Sequence, residues 1–352
     1  METIRSVVTG GAGFIGSHLV DRLLQANHQV VVVDDLSTGD LSNLAEPLAN
    51  DAITFVQADV RDEAAMQSAL RGADLVFHLA TRNVRLSLTH PTLVHDVNTT
   101  GTYNVLKAAA ATGVRRFLYC SSSEVNGTAD VVPMPEDYHF RPETIYGASK
   151  LAGEYYTQVF HRAQWLSTII ARPHNNYGPR EHYAGNKGEV IPRFIIWALA
   201  GAPLLIYGDG QQTRDFTYVA ETADYLFRLS QCDAALGQTF NVCRGEEVSI
   251  LRIAELILEL TGSRSEIRML PGRPSDVRRL YGDPGRLKET LGSSPQISIV
   301  DGLARMIEWF RKHVKITPAL LESLDARAWQ HQQPEPFLAA VANARAWKAG
   351  AA

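Results

Sequence analysis

The stretch SVVTGGAGFIGSHLV, residues 6–20, decides the fold. A short β-branched run ends at Thr9, and Gly10, Gly11, Gly13 and Gly16 follow as an apolar periodicity of three and four sets in at Phe14. Strand, glycine loop and helix in immediate succession form a context in which glycines let the backbone approach a pyrophosphate and the helix N-terminus meets its charge. A tight turn with close helix packing is the alternative reading of the same glycines. A second strand ends at Asp34, eighteen residues past Gly16. A carboxylate there accepts from both adenosine ribose hydroxyls and repels a 2′-phosphate, which points to NAD rather than NADP. The neighbouring Asp35 is the alternative reader, with Asp34 then a turn residue.

Outward from this unit, β-branched and aromatic runs at 29–33, 53–56, 75–78 and 116–119 alternate with amphipathic stretches at 14–24 and 92–111. The runs are continuously apolar, as in a parallel sheet covered on both faces, so the chain reads as α/β with a doubly wound parallel (Rossmann) sheet. After Arg172 the rhythm breaks into shorter elements with turn clusters at Tyr177-Gly178-Pro179, Gly208-Asp209-Gly210 and Pro271-Gly272-Arg273-Pro274. This marks a smaller, mixed α/β second region. The predicted organisation is a dinucleotide-binding domain over 1–172, rejoined by a strand near 239–242, a second region over 173–313 with helices at 250–260 and 302–312, and a helical extension over 314–352 with stretches near 318–328 and 336–349.

The 352 residues carry 38 acidic and 34 basic side chains, so no global positive field exists to hold nucleic acid. Cys120, Cys232 and Cys243 fall in no CxxC spacing and leave one over, which argues against a disulfide framework and a thiolate zinc site. No secretory leader is legible and no apolar run is long enough to span a bilayer. A cytoplasmic protein without nucleic-acid or membrane partners is the expectation. The histidines, among them His90, His95, His174 and His182, fit no metal spacing, and Trp309, Trp329 and Trp347 read as packing residues on helical patterns.

Tyr146-Gly147-Ala148-Ser149-Lys150 places a phenol and an ammonium four apart on one helix face. A nearby cation lowers a phenol pKa that is otherwise about 10, and a bound nicotinamide cation lowers it further. Alone the spacing is common. Here it follows a dinucleotide loop and the run Ser121-Ser122-Ser123 at the end of the fifth strand, where ligands bind in such sheets.

The glycine loop, Asp34, Asp59-Val60, His78-Leu79-Ala80, Asn98, the serine run, Tyr146 with Lys150, the segment 172–180 and Gln212-Thr213-Arg214-Asp215-Phe216 together resemble an extended short-chain dehydrogenase/reductase of the nucleotide-sugar epimerase/dehydratase family. The resemblance covers about residues 3–313. It implies a tightly held NAD that takes a hydride from sugar C4 of a nucleoside-diphosphate sugar and later returns it, in a homodimer paired through the helices near 92–111 and around Tyr146. By the same resemblance Gly10, Gly13, Phe14, Ile15, Gly16, Asp34, Asp59, Val60, Leu79, Ala80, Asn98, Tyr146, Lys150 and Pro173 hold the cofactor. Tyr146 is then the base, Lys150 grips the nicotinamide ribose, and Ser122 bonds the 4-hydroxyl. Asn175, Arg214, Arg273 and Asp276 grip the substrate, guanidiniums being natural diphosphate clamps. Arg273 has the alternative of a surface ion pair, because Arg278, Arg279 and Arg286 crowd its segment.

The reaction is decided at the departures. Glu124 stands where simple 4-epimerases carry a small or apolar residue, and resembles the second base of 4,6-dehydratases and UDP-hexuronate decarboxylases. Ser123 stands where dehydratases place an aspartic acid, and a serine is a poor acid for a leaving hydroxyl. Asn126 and the segment 181–189 indicate a substrate pocket of the chain's own kind. The leading expectation is an NAD-dependent nucleotide-sugar 4-epimerase, with a 4,6-dehydratase or hexuronate decarboxylase using Glu124 as the near rival. A non-catalytic NAD-binding regulator or scaffold is the rival from another class.

Overall fold

The structure, a computed structural model, describes residues 3–185, 188–272, 277–324, 334–338, 340 and 341. Six strands, β1 (Arg5–Thr9), β2 (Gln29–Asp34), β3 (Ile53–Gln57), β4 (Leu75–His78), β5 (Arg116–Cys120) and β6 (Thr168–Pro173), share one sheet with a seventh, Thr239–Val242. All pairs are parallel, and the order is β3, β2, β1, β4, β5, β6 and the seventh strand. The strands are apolar on both faces because both faces are covered. Val8, Val30, Val32, Phe77 and Leu118 pack with Leu19 and Leu23 of the Phe14–Gln25 helix and with Leu226 and Leu229 of the Val219–Gln231 helix. Val7, Val31, Val33, Val76 and Phe117 face Met66, Val105, Leu106 and Phe160 on the opposite side.

The expected helix over 92–111 is continuous but not uniform. An α-helical turn, Pro91–His95, passes through a wide-turned π segment, Asp96–Gly101, into the Thr102–Ala111 helix. Asn98 sits inside the widened segment, and such π turns recur at functional sites.

Beyond β6 a second core gathers Phe194, Ile253, Ile257, Leu303 and Phe310 between the helices Val190–Ala200, Ile250–Thr261 and Ile299–His313. Its strands are short. Leu204–Tyr207 pairs parallel with Ile267–Leu270, and Thr213–Asp215 pairs with Glu247–Ser249 and Arg279–Leu280. Of the C-terminal stretch, the Pro318–Ser323 helix packs Leu320 and Leu321 on this core. Farther on, Glu335 accepts hydrogen bonds at 3.2 and 2.6 Å from the backbone N–H and hydroxyl of Thr92. Residues 325–333, with Trp329, and most of the expected 336–349 helix, with Trp347, lie outside the described residues.

Candidate active site

The sheet reverses its winding between β1 and β4, and the loops leaving these adjacent strands diverge into a crevice at their C-terminal ends. A cavity of about 360 Å³ opens there. Its floor is the glycine loop. A Cβ on Gly16 would lie 2.2 Å from the Gly10 carbonyl oxygen, so only glycine lets the helix start this close to the strand that precedes it. Gly10, Gly13, Phe14, Ile15 and Gly16 all line the cavity, a cradle of backbone shaped for a phosphate group.

Asp34 ends β2 at one wall. Its carboxylate accepts from the Ala12 N–H at 3.0 Å and the Leu36 N–H at 2.9 Å, while burial pulls its pKa above the ordinary value. Asp35 also lines the cavity, but Arg82 holds it at 2.7 Å and the Ser37 hydroxyl at 2.6 Å. Each Asp34 oxygen takes one of these bonds, which leaves each with capacity to accept another. Asp59, Val60, Leu79, Ala80 and Pro173 complete this half of the lining. Asn98 is placed differently, behind the wall. It accepts from the Arg82 N–H at 2.7 Å and donates to the Arg82 carbonyl at 3.0 Å and to Ser149 at 3.1 Å, so it props the loop after β4.

The other half is built where β5 ends. Ser122 caps the short Ser123–Val125 turn, its hydroxyl accepting from the Glu124 N–H at 3.2 Å. The Ile145–Arg162 helix, capped by Thr144, brings Tyr146 against this turn. Gly147 permits the approach, since a Cβ there would lie 2.5 Å from the Glu124 carbonyl oxygen. Burial pushes the Tyr146 phenol above its ordinary pKa, with Glu124 and Glu189 acting in the same direction, while the nearby Ser122 hydroxyl favours the ionised form. Lys150 is 3 % exposed, and its ammonium donates to the Cys120 carbonyl at 2.6 Å above the Tyr119 ring. Burial lowers its pKa to about 8. In this arrangement Lys150 is drawn toward the strand end, and the expected lowering of the phenol by the lysine is not the dominant effect.

Ser121, Ser122, Ser123, Glu124, Tyr146 and Lys150 thus converge on one cavity with the glycine loop. Asn175 lines it too, and its buried side-chain oxygen has no hydrogen-bond partner among the described residues. Arg214 lies on the Thr213–Asp215 strand, outside the lining, and donates to the Thr213 carbonyl at 2.8 Å. Arg273 and Asp276 lie outside the described residues. Arg82, Asn83 and Val84 after β4 line the cavity without having been singled out from sequence, while Glu181, His182 and Glu189 come from the 181–189 segment expected to shape the substrate pocket. They belong to no spacing pattern, and only the fold brings the two loops together.

Arg172 and Glu154 lie behind the serine run as a bidentate pair, 2.7 Å at each contact and 1 % exposed on both sides. Ser121 donates to the same carboxylate at 2.5 Å, so the buried pair fixes the strand end that carries the catalytic candidates.

A cleft at the reversal of a doubly wound sheet, with a glycine phosphate cradle and a tyrosine–lysine–serine group, defines a dinucleotide-dependent enzyme of the short-chain dehydrogenase/reductase kind. The model of the NAD dependent epimerase/dehydratase family matches residues 6–243, and the chain belongs to this family. The chain is similar to the UDP-glucose 4-epimerase of Mycolicibacterium smegmatis, at 38 % identity over 312 residues, 88 % of this chain and 99 % of that one. It is also similar to UDP-glucuronic acid decarboxylase 1 of Danio rerio, at 33 % identity over 317 residues, covering 88 % of this chain and 73 % of that one. Among solved structures, the UDP-glucose 4-epimerase of Thermotoga maritima, determined with UDP-glucose, superposes with a TM-score of 0.84 at 32 % identity, covering 89 % of this chain and all of that one.

Proposed function

We propose that the protein is an NAD-dependent nucleotide-sugar 4-epimerase acting on a nucleoside-diphosphate sugar, with a uridine diphosphate sugar as the first candidate. The observation that carries this reading is the convergence of Ser122, Tyr146 and Lys150 on the same cavity as the glycine cradle. When bound, NAD supplies the acceptor and later the donor of the C4 hydride. Gly10, Gly13, Gly16 and Asp34 would hold the dinucleotide. Tyr146 takes the 4-hydroxyl proton and gives it back, Ser122 orients that hydroxyl, and Lys150 donates to the nicotinamide ribose. Asn175 meets the substrate. Arg214, Arg273 and Asp276 are proposed for its diphosphate and ribose on the resemblance alone.

The near rival has one observation in its favour. Glu124 lines the same cavity as Tyr146, and a carboxylate there is the kind of group that could abstract a second proton at C5. Ser123 beside it is a poor acid, which favours epimerisation over loss of a 6-hydroxyl. Incubation with UDP-, dTDP-, GDP- and CDP-sugars, followed by product mass, tests the reading. Unchanged mass with inverted C4 is expected, and loss of water or carbon dioxide would replace it with the rival.

The 1–172, 173–313 and 314–352 division is the organisation we propose, with the cleft between the first two. A homodimer is proposed through the helices Thr102–Ala111 and Ile145–Arg162. Tyr103, Tyr155, Tyr156 and Val159 are exposed on them, and the Tyr103 and Tyr156 rings meet at 5.6 Å in one apolar stripe. A cytoplasmic location accords with free cysteines. No described helix is long and apolar enough to cross a membrane.

A further inference from the structure

The helical run that starts at Pro91 is entered through His90, whose side chain makes no capping hydrogen bond to the first turn. The cap comes instead from Glu335, 243 positions beyond Thr92 and outside the stretch that resembles the family. The Glu335 backbone N–H donates to the Thr89 carbonyl at 2.8 Å. Its carboxylate accepts from the Thr92 hydroxyl at 2.6 Å, the Thr92 N–H at 3.2 Å and the Leu93 N–H at 3.4 Å. The Thr92 hydroxyl, more than any other group, holds this carboxyl below its ordinary pKa, and the two N–H groups and His90 add to the effect. A charged carboxylate is what orphan N–H groups at a helix start favour.

The capped turn leads straight into the cleft wall. Arg82, Asn83 and Val84 line the cavity, and the residues after them form a tight turn in which the Ser87 N–H donates to the Val84 carbonyl at 3.2 Å and the His90 N–H to the Leu86 carbonyl at 2.7 Å. The Asn83 side chain accepts from the Leu86 N–H at 3.0 Å, which ties the lining to the turn. Arg85 of the same turn donates to the Gly188 carbonyl at 2.9 Å and pairs with Glu189, a lining residue of the opposite loop. Asn98 holds the inner end of this segment at Arg82, and Glu335 holds the outer end. The same C-terminal stretch also reaches the opposite loop, where the Gly185 N–H donates to the Ser323 hydroxyl at 3.4 Å.

Resting on the nucleotide-sugar reading, we propose that Glu335 is a positioning residue for substrate: by capping the turn at Thr92 and holding the Thr89 carbonyl, it keeps the 82–90 segment in its cleft-lining place before the nucleotide sugar arrives. A segment fixed in advance costs the ligand no ordering on binding, and one released from its cap is competent only part of the time, which weakens apparent affinity in proportion. Tyr146, Ser122 and Lys150 stand on other elements, so the chemical step is untouched once substrate is seated.

The test compares the full-length, NAD-loaded protein with its Glu335→Ala, Glu335→Gln and Thr92→Val variants and with the Glu335→Ala, Thr92→Val double variant. KM is measured for UDP-glucose, or for whichever UDP-, dTDP-, GDP- or CDP-sugar turns over fastest. Glu335→Ala is expected to raise KM about two- to fivefold, the worth of one helix cap, with kcat, NAD affinity and the urea midpoint nearly unchanged. Glu335→Gln, which keeps an acceptor without the charge, should fall between, and the double variant should be no worse than Glu335→Ala because both changes remove one interaction. Hydrogen exchange should quicken in peptides spanning 84–93. An unchanged KM in Glu335→Ala, or a loss that falls equally on kcat, NAD affinity and the urea midpoint, overturns the positioning role and leaves the nucleotide-sugar reading in place. Absence of turnover of every sugar by the unaltered protein removes that reading, and this inference with it.

Discussion

At Tyr146, burial and chemistry pull in opposite directions. Burial raises the phenol, and the Ser122 hydroxyl lowers it. The phenol therefore stays protonated in the empty cleft and becomes a usable base only as positive charge and substrate arrive. Tyr146→Phe is expected to cut turnover by about 10²- to 10⁴-fold while cofactor affinity, read by fluorescence titration, stays nearly constant. Lys150 carries a pH signature. Its pKa in the empty protein is lowered to about 8, and binding that uses the ammonium as donor holds on to the proton. NAD affinity should then be level below pH 8 and weaken as the pH rises through it, whereas a Lys150→Met variant should be weaker throughout and flat. Glu124→Gln separates the rival reactions. An epimerase keeps most of its rate and takes no solvent deuterium into C5 of its product, and deuterium at C5 would make Glu124 a base. The Tyr-x-x-x-Lys spacing was legible because helix geometry alone puts both side chains on one face. The partner of Lys150 was not, since no spacing tells which carbonyl a strand end presents.

Among the elements, the Ile145–Arg162 helix is placed by what it lacks and by what stands behind it. Gly147 lets its first turn touch the Glu124 carbonyl. Gly147→Ala should shift Tyr146 by a fraction of an ångström and lower turnover about tenfold or more, with a smaller change in NAD affinity, because reaction is steeper in position than binding is. Glu154 of the same helix grips Arg172 in a region closed to water. Glu154→Gln leaves a guanidinium without its counter-charge and should cost about 3–5 kcal/mol in urea unfolding. A Glu154→Leu, Arg172→Met double variant should recover much of that. Strands were read well from sequence because burial on both faces leaves an uninterrupted apolar run. The widened turns of 96–101 were not, because a single π segment is too short to displace the helical periodicity of the residues on either side of it.

For the whole molecule, the apolar stripe of Tyr103, Tyr155, Tyr156 and Val159 is expected to be covered by a second copy. Light scattering should give a dimer at micromolar concentration, and Tyr103→Glu with Tyr156→Glu should give a monomer. The glycine cradle was visible in the first twenty residues and the doubly wound sheet in the apolar runs out to 119, while the meeting of Glu124 with the 181–189 segment at one cavity was not, because the two come together only after folding. The seventh strand carries a different consequence. Thr239–Val242 completes the sheet against β6, a strand buried along its whole length, yet it is made some seventy positions later. During synthesis at about 5–20 residues per second, β6 therefore waits several seconds with an open apolar edge, a template for mispairing between nascent chains. The order in which the ribosome releases the strands makes this the interval in which a chaperone is most needed, and a chain ended at residue 238 should accumulate as aggregate.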